Sequence, residues 1–435
     1  MRLQVEPASA ALGGRVQPPG DKSVSHRAAL FGGLAEGTTR IHGFLEAEDT
    51  LATLHAMQAL GAEVRRDGGE IEIRGGELRA PETVLDLGNA GTGIRLLAGA
   101  LAGHRSLIGQ RLVLTGDASL QKRPMGRIIR PLARMGAQIE ADQGRAPLTV
   151  RVSTLHGCEH ELEIASAQVK SAILLAGLQA DGRTSVIEPG PSRDHTERLL
   201  PAFGAQPERF DGGVAVSGPV TLQAAEVTVP GDLSSAAFLV AAALLVPDSA
   251  IELGPVGLNP TRDGFLRIVE AMAPGRVQSA IDSQASAGDE PVGTLTVRAP
   301  DRLQAIDIPA DWVPLAIDEF PIVMAMAAAA EGVTRIRGAA ELRVKESDRL
   351  AVMAEQLGRL GVRVDEYPDG ADVYGGAVNG GVVDAGGDHR IAMSLAVLAL
   401  VANGPVAIDG AEWIRTSYPG FVDDLAALGA RAVWA

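Results

Sequence analysis

The sequence has little of what disulfide-stabilised and nucleic-acid-binding proteins need. It contains a single cysteine, Cys158, in 435 residues, which excludes an internal disulfide framework and any site built from paired cysteines. Aromatic residues make up only 3% of the chain, and acidic residues outnumber basic ones by 54 to 39. With few rings on which bases could stack and a formal net charge of −15, a nucleic-acid partner is not expected.

Long apolar runs and targeting signals are lacking as well. The longest apolar stretches, near 236–246 and 391–402, fall short of the ~20 residues that span a bilayer. The opening MRLQVEPASAALGG has no apolar core flanked by basic residues, so it predicts no signal peptide. We therefore expect a soluble cytoplasmic protein with no membrane partner. A monomer is expected as well, although nothing in the sequence determines the oligomeric state.

What the chain does contain is an apolar, Ala/Leu-rich helix that opens with small polar or charged residues, six times over. A helix that is apolar on nearly all sides has to be buried. Its first turn, with free N–H groups and the positive end of the dipole, can still bind an anion. Six such starts brought together would form a site for a phosphorylated or carboxylated small molecule. The six openings are DKSVSHR (21–27), GNAGTGIR (88–95), SAQVKS (166–171), GDLSSA (231–236), DEFP (318–321) and GDHR (387–390).

A second element, an amphipathic helix that ends at a glycine, recurs equally often. Glycine followed by an apolar strand is typical of a helix stop, although a single such junction is common in any αβ protein. These glycines recur at intervals of 68 to 86 residues, and we interpret the polar insertion at 278–293 in the longest interval as a surface loop. Six such units in a chain of this length indicate an α/β fold of two domains with three units each. The six glycines are Gly61, Gly136, Gly204, Gly275, Gly361 and Gly429.

Several polar clusters carry the basic side chains that anion binding needs. The first opening supplies Lys22 and Arg27 with two hydroxyl groups between them, and GNAGTGIR is a glycine-rich turn that lets the backbone approach a ligand. QKRP places Arg123 before a proline that can begin a helix. An arginine fork suits a carboxylate or a phosphate because it can bind either in a bidentate manner.

The C-terminal half supplies carboxylates beside further basic groups. RVKESDRL (343–350) puts Lys345 and Arg349 four residues apart, which predicts one helical face with Glu346 beside them. DEFP places Asp318 at a helix start, and GDHR places His389 at another. Each cluster taken alone is also explained as a helix cap, an exposed ion pair or a structural histidine. Together they indicate anion binding with proton transfer.

Motifs for metal, nicotinamide and P-loop nucleotide binding are all missing. The eight histidines are scattered, and no HExxH or paired-cysteine pattern occurs. No glycine-rich dinucleotide fingerprint and no P-loop motif is found. We therefore expect neither a metal nor an organic cofactor.

Seven strings along the chain resemble the 3-phosphoshikimate 1-carboxyvinyltransferase family of enolpyruvyl transferases, in order and over essentially its whole length. The resemblance implies a two-domain inside-out α/β barrel, each domain made of three βαβαββ units with buried helices and outer sheets. The first domain would span 21–235, and the second would combine 1–20 with 236–435. The strings are GDKSVSHRA, LGNAGTGIRLL, QKRPMGRI, SAQVKSAILLAG, DEFP, RVKESDRL and GDHRIAM.

The resemblance also implies a reaction and the residues that perform it. The enolpyruvyl group of phosphoenolpyruvate would be transferred to the 5-hydroxyl of 3-phosphoshikimate through a tetrahedral ketal, with release of phosphate. Asp318 would be the base at that hydroxyl, Glu346 would exchange a proton with the methylene carbon, Lys345 would stabilise negative charge, and His389 would hold Glu346. The residues expected to bind the two substrates are Lys22, Ser23, Arg27, Asn89, Gly91, Thr92, Arg123, Ser166, Ala167, Gln168, Arg193, Asp318, Lys345, Arg349 and Arg390. Among these, Gly91 and the arginines at 123, 349 and 390 would bind phosphoenolpyruvate. Lys22 would touch both substrates, and it is also expected to be catalytic.

The chain departs from the family pattern at a few positions. Ala167 stands where many members have a serine, and Arg193 is a loosely aligned replacement for the lost phosphate contact. Glu341 stands where some members have asparagine. Thr416 stands where some have a lysine that reaches phosphoenolpyruvate, with Arg415 beside it.

Two alternatives remain open from the sequence. A cell-wall enolpyruvyl transferase acting on a UDP-sugar would show Lys–Asn at the first helix start and a cysteine near residue 115, whereas this chain has Lys22–Ser23 and no cysteine in 111–121. A non-catalytic repeat scaffold would bind neither phosphorylated substrate, and it leaves the position of Glu346 between two basic residues unexplained.

Overall fold

The computed structural model describes residues 1–287 and 289–435, and these form two compact units. The first unit comprises Gly20–Val229 with Ser286–Glu290, and the second comprises Met1–Pro19, Pro230–Ala285 and Pro291–Ala435. The contacts thus place the two main boundaries after Pro19 and Val229, compared with the expected positions after residues 20 and 235.

Twelve α-helices occur in the described part of the chain. They are α1 (Lys22–Leu34), α2 (Glu48–Ala59), α3 (Gly91–Ala102), α4 (Gly126–Arg134), α5 (Ala167–Gly177), α6 (His195–Leu199), α7 (Leu233–Leu245), α8 (Gly264–Met272), α9 (Phe320–Ala328), α10 (Arg349–Arg359), α11 (His389–Ala399) and α12 (Phe421–Ala427).

The described residues also form 23 strands. They are β1 (Arg2–Val5), β2 (Gly13–Val16), β3 (Gly37–His42), β4 (Glu63–Asp67), β5 (Glu70–Gly75), β6 (Leu85–Asp86), β7 (Arg111–Thr115), β8 (Gln138–Asp142), β9 (Arg145–Arg151), β10 (Glu159–Glu161), β11 (Gly182–Ile187), β12 (Glu208–Phe210), β13 (Gly213–Gly218), β14 (Glu226–Thr228), β15 (Ala250–Gly257), β16 (Val277–Ala287), β17 (Glu290–Arg298), β18 (Val333–Ile336), β19 (Val364–Tyr367), β20 (Gly370–Tyr374), β21 (Gly381–Asp384), β22 (Val406–Asp409) and β23 (Ala432–Trp434).

Six small sheets, three in each unit, repeat one arrangement. In the sheet β6-β7-β9-β8, the strand β7 pairs in parallel with β6 and antiparallel with β9, which pairs antiparallel with β8. The other sheets of the first unit are β14-β3-β5-β4 and β10-β11-β13-β12. Those of the second are β21-β22-β1-β23, β16-β17-β15-β2 and the three-stranded β18-β20-β19.

The N-terminal strand completes the sheet formed by the last strands of the chain. In β1, Leu3 lies opposite Ile408 of β22 and opposite Trp434 of β23, antiparallel to both. In the first unit the last strand likewise returns to the first sheet, since Val227 of β14 pairs in parallel with Ile41 of β3.

Six of the helices are buried over almost their whole length, as the sequence pattern predicts. The buried helices are α1, α3, α5, α7, α9 and α11, and each begins at one of the six polar openings. In α9, Ile322 and Val323 are completely buried, and burying such a side chain stabilises the fold by about 1.5–3 kcal/mol. The buried helices with outer sheets form the inside-out α/β architecture that the resemblance implies.

The six helix-terminating glycines are confirmed by their backbone conformation. Each has a positive φ, between 69° at Gly275 and 106° at Gly61. This left-handed conformation lets the chain turn out of the helix into the next strand, and it strains any residue with a Cβ.

The interpretation of 278–293 as a surface loop is wrong. Apart from Gly288, which lies outside the described residues, most of this segment extends the strands β16 and β17 of the sheet that also contains β15 and β2. At the end of the segment, Val292 and Gly293 pair with Gly257 and Val256 of β15, and such pairing between distant strands is not visible in local polarity.

Candidate active site

In the first unit, the starts of α1, α3 and α5 are linked by side-chain contacts. Helix α1 begins at Lys22 because the Asp21 carboxylate accepts a hydrogen bond from the Val24 N–H at 2.8 Å. Arg27, one turn further on, donates to the Ser171 hydroxyl of α5 at 2.8 Å. In turn, Gln168 at the start of α5 donates to Thr92 at the start of α3 at 2.9 Å. The three predicted polar openings therefore lie together within this unit.

Arg27 is a buried guanidinium that neutral groups hold. Its Nε donates to the Thr196 hydroxyl at 2.7 Å, one Nη donates to Ser171, and the other donates to the Ser23 carbonyl at 2.9 Å. Burial lowers the pKa of Arg27 to about 10, although the negative charges of Glu197, Asp21 and Glu290 act in the opposite direction. The side chain still carries its charge at neutral pH, which suits it to bind an anion.

The glycine-rich turn brings backbone close to Arg123. A Cβ added at Gly91 would lie 2.8 Å from Nη1 of Arg123, so a larger residue there would displace the end of the arginine side chain. Arg123 is held by Asn89, which also donates to Asp117 at 2.8 Å. Arg95, from the same helix as Gly91, donates to the Gln168 amide oxygen at 2.6 Å. The turn and the arginine thus form one packed cluster.

Lys22 contacts a carboxylate that the sequence reasoning missed. Its Nζ lies 2.5 Å from Oδ2 of Asp49, which is buried in the first turn of α2. Ser23, Ser166 and Ala167 are half-buried at the starts of α1 and α5.

In the second unit, Arg349 joins three carboxylates. The side chain is 1% exposed, and its nitrogens lie 2.7 Å from Asp388, 2.5 Å from Glu346 and 3.3 Å from Asp318. Although burial alone would lower it, attraction to Asp388, Glu346 and Asp318 raises the pKa of Arg349 above its usual value. Arg349 therefore fixes the two carboxylates predicted to be catalytic relative to each other.

Asp318 also lies beside Lys345. The lysine Nζ is 3.3 Å from Oδ1 of Asp318 and 2.7 Å from Glu341, the residue at which some family members carry asparagine. The Asp318 carboxylate thus lies beside two basic side chains, Lys345 and Arg349.

The prediction that Lys345 and Arg349 share a helical face is wrong. Helix α10 begins only at Arg349, because the Asp348 side chain accepts from the Ala351 N–H at 3.0 Å and caps the helix there. Lys345 precedes the helix in a non-helical turn. The two side chains still meet at Asp318, through the tertiary fold and not through helical spacing.

The starts of α7, α9 and α11 are linked by a second polar chain. Arg390 donates to the Asp318 carbonyl at 3.1 Å, and its guanidinium lies 3.7 Å from the buried carboxylate of Glu319. Glu319 accepts from Ser234 of α7, and the Ser234 hydroxyl accepts from Arg262. Three more of the predicted openings thus lie together, within the second unit.

Asp388 is the residue whose importance the sequence reasoning missed most clearly in this unit. It is fully buried and accepts hydrogen bonds from Arg349 at 2.7 Å, from Ser347 at 3.1 Å and from the Arg390 N–H at 2.9 Å. Its position at the cap of α11, inside GDHR, is the signal that could have found it. His389 is buried beside it, and its expected role in holding Glu346 stays a prediction.

Thr416, at the position where some family members have a lysine, and its neighbour Arg415 both contact residues near the C-terminus. The Arg415 guanidinium stacks over the Trp434 ring at 5.9 Å, and the Thr416 hydroxyl donates to the Trp413 carbonyl at 2.7 Å. In the described ranges 1–287 and 289–435, no helix is long and apolar enough to cross a membrane. The same residues contain no group of three or more His, Cys, Asp or Glu side chains that could hold a metal ion.

Comparisons with known proteins identify the family of the chain. A family model described as EPSP synthase (3-phosphoshikimate 1-carboxyvinyltransferase) matches residues 7–425. The chain is similar to the 3-phosphoshikimate 1-carboxyvinyltransferase of Acidithiobacillus ferrooxidans, with 51% identity over 427 residues that cover 97% of this chain and 96% of that protein. It is 49% identical to that of Nitrosococcus oceani over 419 residues, covering 95% and 93%. An EPSP synthase structure from Acinetobacter baumannii superposes over 100% of both chains with a TM-score of 0.87 and 42% identity.

Proposed function

The chain belongs to the EPSP synthase (3-phosphoshikimate 1-carboxyvinyltransferase) family, and we propose from its side-chain geometry which residues perform the reaction. It is a transferase of aromatic amino-acid biosynthesis by the shikimate pathway. It transfers the enolpyruvyl group of phosphoenolpyruvate to the 5-hydroxyl of 3-phosphoshikimate and releases inorganic phosphate.

Residues of the first unit bind 3-phosphoshikimate. Arg27, Lys22 and Arg193 supply positive charge, and Ser23, Ser166 and Gln168 supply hydroxyl and amide groups at helix starts. The support is that Arg27 is held by two hydroxyls and a carbonyl, none of which neutralises its charge. Ala167 lines the same helix start but supplies no hydroxyl.

Basic residues at helix starts and beside them bind phosphoenolpyruvate. Arg123 is one of them, with Asn89, Gly91 and Thr92 around it, and a guanidinium beside a glycine backbone suits a planar carboxylate. Lys345, Arg349 and Arg390 are further basic residues that we assign to this substrate. Of these Arg349 is the most deeply buried, so its main contribution is to hold the catalytic carboxylates.

Two carboxylates move the protons. Asp318 takes the proton of the 5-hydroxyl as that oxygen bonds to the enol carbon, while Glu346 gives a proton to the methylene carbon, which yields a tetrahedral ketal. Glu346 then removes a proton from the new methyl group, the double bond forms again, and phosphate leaves with the proton that Asp318 had taken up. Lys345, Lys22 and the arginines stabilise the negative charge that develops, and His389 orients Glu346.

One observation carries this assignment: the buried guanidinium of Arg349 contacts both Asp318 and Glu346. Asp318 and Glu346 come from separate motifs, 28 positions apart in sequence. Both are predicted to transfer protons, and both contact the same positively charged side chain. A structural ion pair alone would not explain why Lys345 converges on the same Asp318 oxygen.

The test is to incubate the purified chain with both substrates and to measure inorganic phosphate, with each substrate omitted in turn. Phosphate release should need both, and a UDP-sugar should not replace 3-phosphoshikimate. Asp318→Asn and Glu346→Gln should each lose most turnover, whereas Glu355→Gln, an exposed carboxylate on α10, should not. Phosphate release that ignores 3-phosphoshikimate, or full activity in both site variants, would contradict the proposal.

We also propose that the chain acts in the cytoplasm and as a monomer, and that it needs neither a metal nor an organic cofactor. In support, the reaction is balanced by side-chain acids and bases alone. Light scattering of the purified chain and turnover after exhaustive treatment with a chelator test the last two points.

A further inference from the structure

The segment 194–197, directly after Arg193, is a run of four buried polar residues that the reaction itself does not use. It begins α6, and each of its side chains has a partner elsewhere in the first unit. Asp194 pairs with Arg198 at 2.8 Å, and Glu197 pairs with the buried Lys170 of α5 at 2.8 Å. Such burial is unusual for four consecutive polar residues, and it directs attention to the remaining member, Thr196.

Thr196 and Ser171 form a pair of hydroxyls in front of the Arg27 guanidinium. Both side chains are completely buried. Thr196 accepts from Arg27 Nε at 2.7 Å and donates its own proton to Ser171 at 2.8 Å, while Ser171 accepts from an Arg27 Nη at 2.8 Å. Because the only proton of Thr196 is directed to Ser171, its oxygen presents lone pairs to the arginine.

This arrangement has the geometry of a carboxylate without its charge. An arginine fork usually meets two oxygens of Asp or Glu, which fixes its plane and neutralises it. Here the neutral hydroxyl oxygens of Thr196 and Ser171 occupy those two positions. They fix the plane of the Arg27 guanidinium and add no negative charge to it. Burial beside Arg193 lowers the pKa of Arg27 to about 10, and this still leaves it protonated at neutral pH.

The neighbouring residues keep the hydroxyl pair in place. Lys170, next to Ser171, is buried and lies 2.8 Å from Glu197, the residue next to Thr196, and 2.7 Å from Glu188. These ion pairs join α5 to α6 directly beside the hydroxyl pair. Although burial alone would lower it, Glu197 and Glu188 raise the pKa of Lys170, so the pairs persist at neutral pH.

We propose that Thr196, with Ser171, is a positioning residue that orients the Arg27 guanidinium for the anionic 3-phosphoshikimate without neutralising it. This inference rests on the proposed function. Thr196 acts through Arg27 and does not touch the substrate, so its loss should weaken 3-phosphoshikimate binding only while Arg27 is present.

The test is calorimetric titration of 3-phosphoshikimate into the full chain and its variants. Thr196→Val keeps the side-chain volume and removes the hydroxyl, and it should raise the dissociation constant by about 10- to 100-fold, the loss expected for a hydrogen bond to a charged group. Ser171→Ala should act in the same direction, and Thr196→Ser should restore most of the affinity. Thr184→Val is the matched control, because Thr184 is fully buried in β11 and its hydroxyl has no hydrogen-bond partner among the described residues.

A double-mutant cycle separates positioning from general damage. In an Arg27→Met background, adding Thr196→Val should weaken binding no further. An equal loss of affinity with and without Arg27 would overturn the inference, as would unchanged affinity in folded Thr196→Val. If circular dichroism shows that Thr196→Val does not fold, Ser171→Ala replaces it in the same cycle. Its effect on 3-phosphoshikimate affinity, with and without Arg27, then tests the inference. Failure of the unsubstituted chain to bind 3-phosphoshikimate would instead overturn the proposed function.

Discussion

Replacing Arg349 should damage the second unit far more than replacing another arginine of the same helix. Arg349 is 1% exposed and lies within 3.3 Å of three carboxylates. Removing one partner from a buried ion pair costs about 3–5 kcal/mol, because the remaining charge stays buried and uncompensated. Arg349→Ala leaves the completely buried Asp388 in that state.

Arg359 provides the matched control. It belongs to α10 as well and pairs with Glu355 at 2.7 Å, but both side chains are at least half exposed. Such surface pairs contribute about 0.3–0.5 kcal/mol, so the unfolding free energy of Arg359→Ala should be close to that of the unsubstituted chain. Arg349→Lys should not restore stability, because one ammonium cannot contact three carboxylates in the manner of a planar fork.

Tryptophan fluorescence can report this unit selectively. The three tryptophans of the chain, Trp312, Trp413 and Trp434, all lie in the second unit. Urea unfolding followed by fluorescence should show a loss of about 3–5 kcal/mol in unfolding free energy for Arg349→Ala. A loss no greater than that of Arg359→Ala would refute the role assigned to the buried guanidinium.

Three further predictions concern binding, the thiol and pH. Arg123→Ala and Arg390→Ala should each raise the KM for phosphoenolpyruvate by about 10- to 100-fold, and unchanged KM values in both would exclude them as ligands of this substrate. Cys158→Ser should keep nearly full turnover, since the thiol lies 3.2 Å from the buried ring of His160 and contacts none of the predicted site residues among the described contacts, and loss of activity in a folded variant would indicate a thiol mechanism. Burial lowers the pKa of His104 and of His160 to about 4. Their stabilisation is therefore complete above about pH 6.5 and lost as pH falls towards 4, by about 1.4 kcal/mol per pH unit for each. His160→Gln should make the pH dependence of urea unfolding shallower, and an unchanged slope would contradict this.

The repeated architecture is readable from sequence because it depends on local chemistry. Helices such as α7 and α9 are apolar on every side, so burial is their only stable solution. The six glycines stop helices through a backbone conformation that other residues avoid. These signals lie within a few residues of the feature they specify.

What the sequence did not reveal depends on contacts between distant segments. Thr196 meets Arg27 across 169 positions, and no periodic pattern indicates such a pair. Asp49 lies in an ordinary acidic first turn of α2, so its contact with Lys22 is not visible in the motif. The helix predicted through Lys345 is wrong for a local reason. Asp348 caps the helix, which therefore begins at Arg349 although the four-residue spacing of Lys345 and Arg349 suggests an earlier start.

The most direct test of the account is to follow the enolpyruvyl carbons themselves. Phosphoenolpyruvate labelled with heavy carbon is mixed with 3-phosphoshikimate and the purified chain, and the products are identified by mass spectrometry. The account predicts that the label appears in a 3-phosphoshikimate adduct in equal amount to the phosphate released, and that Asp318→Asn and Glu346→Gln suppress both products together. Label recovered as free pyruvate, or remaining in phosphoenolpyruvate when the unsubstituted chain is folded and both substrates are present, would contradict it.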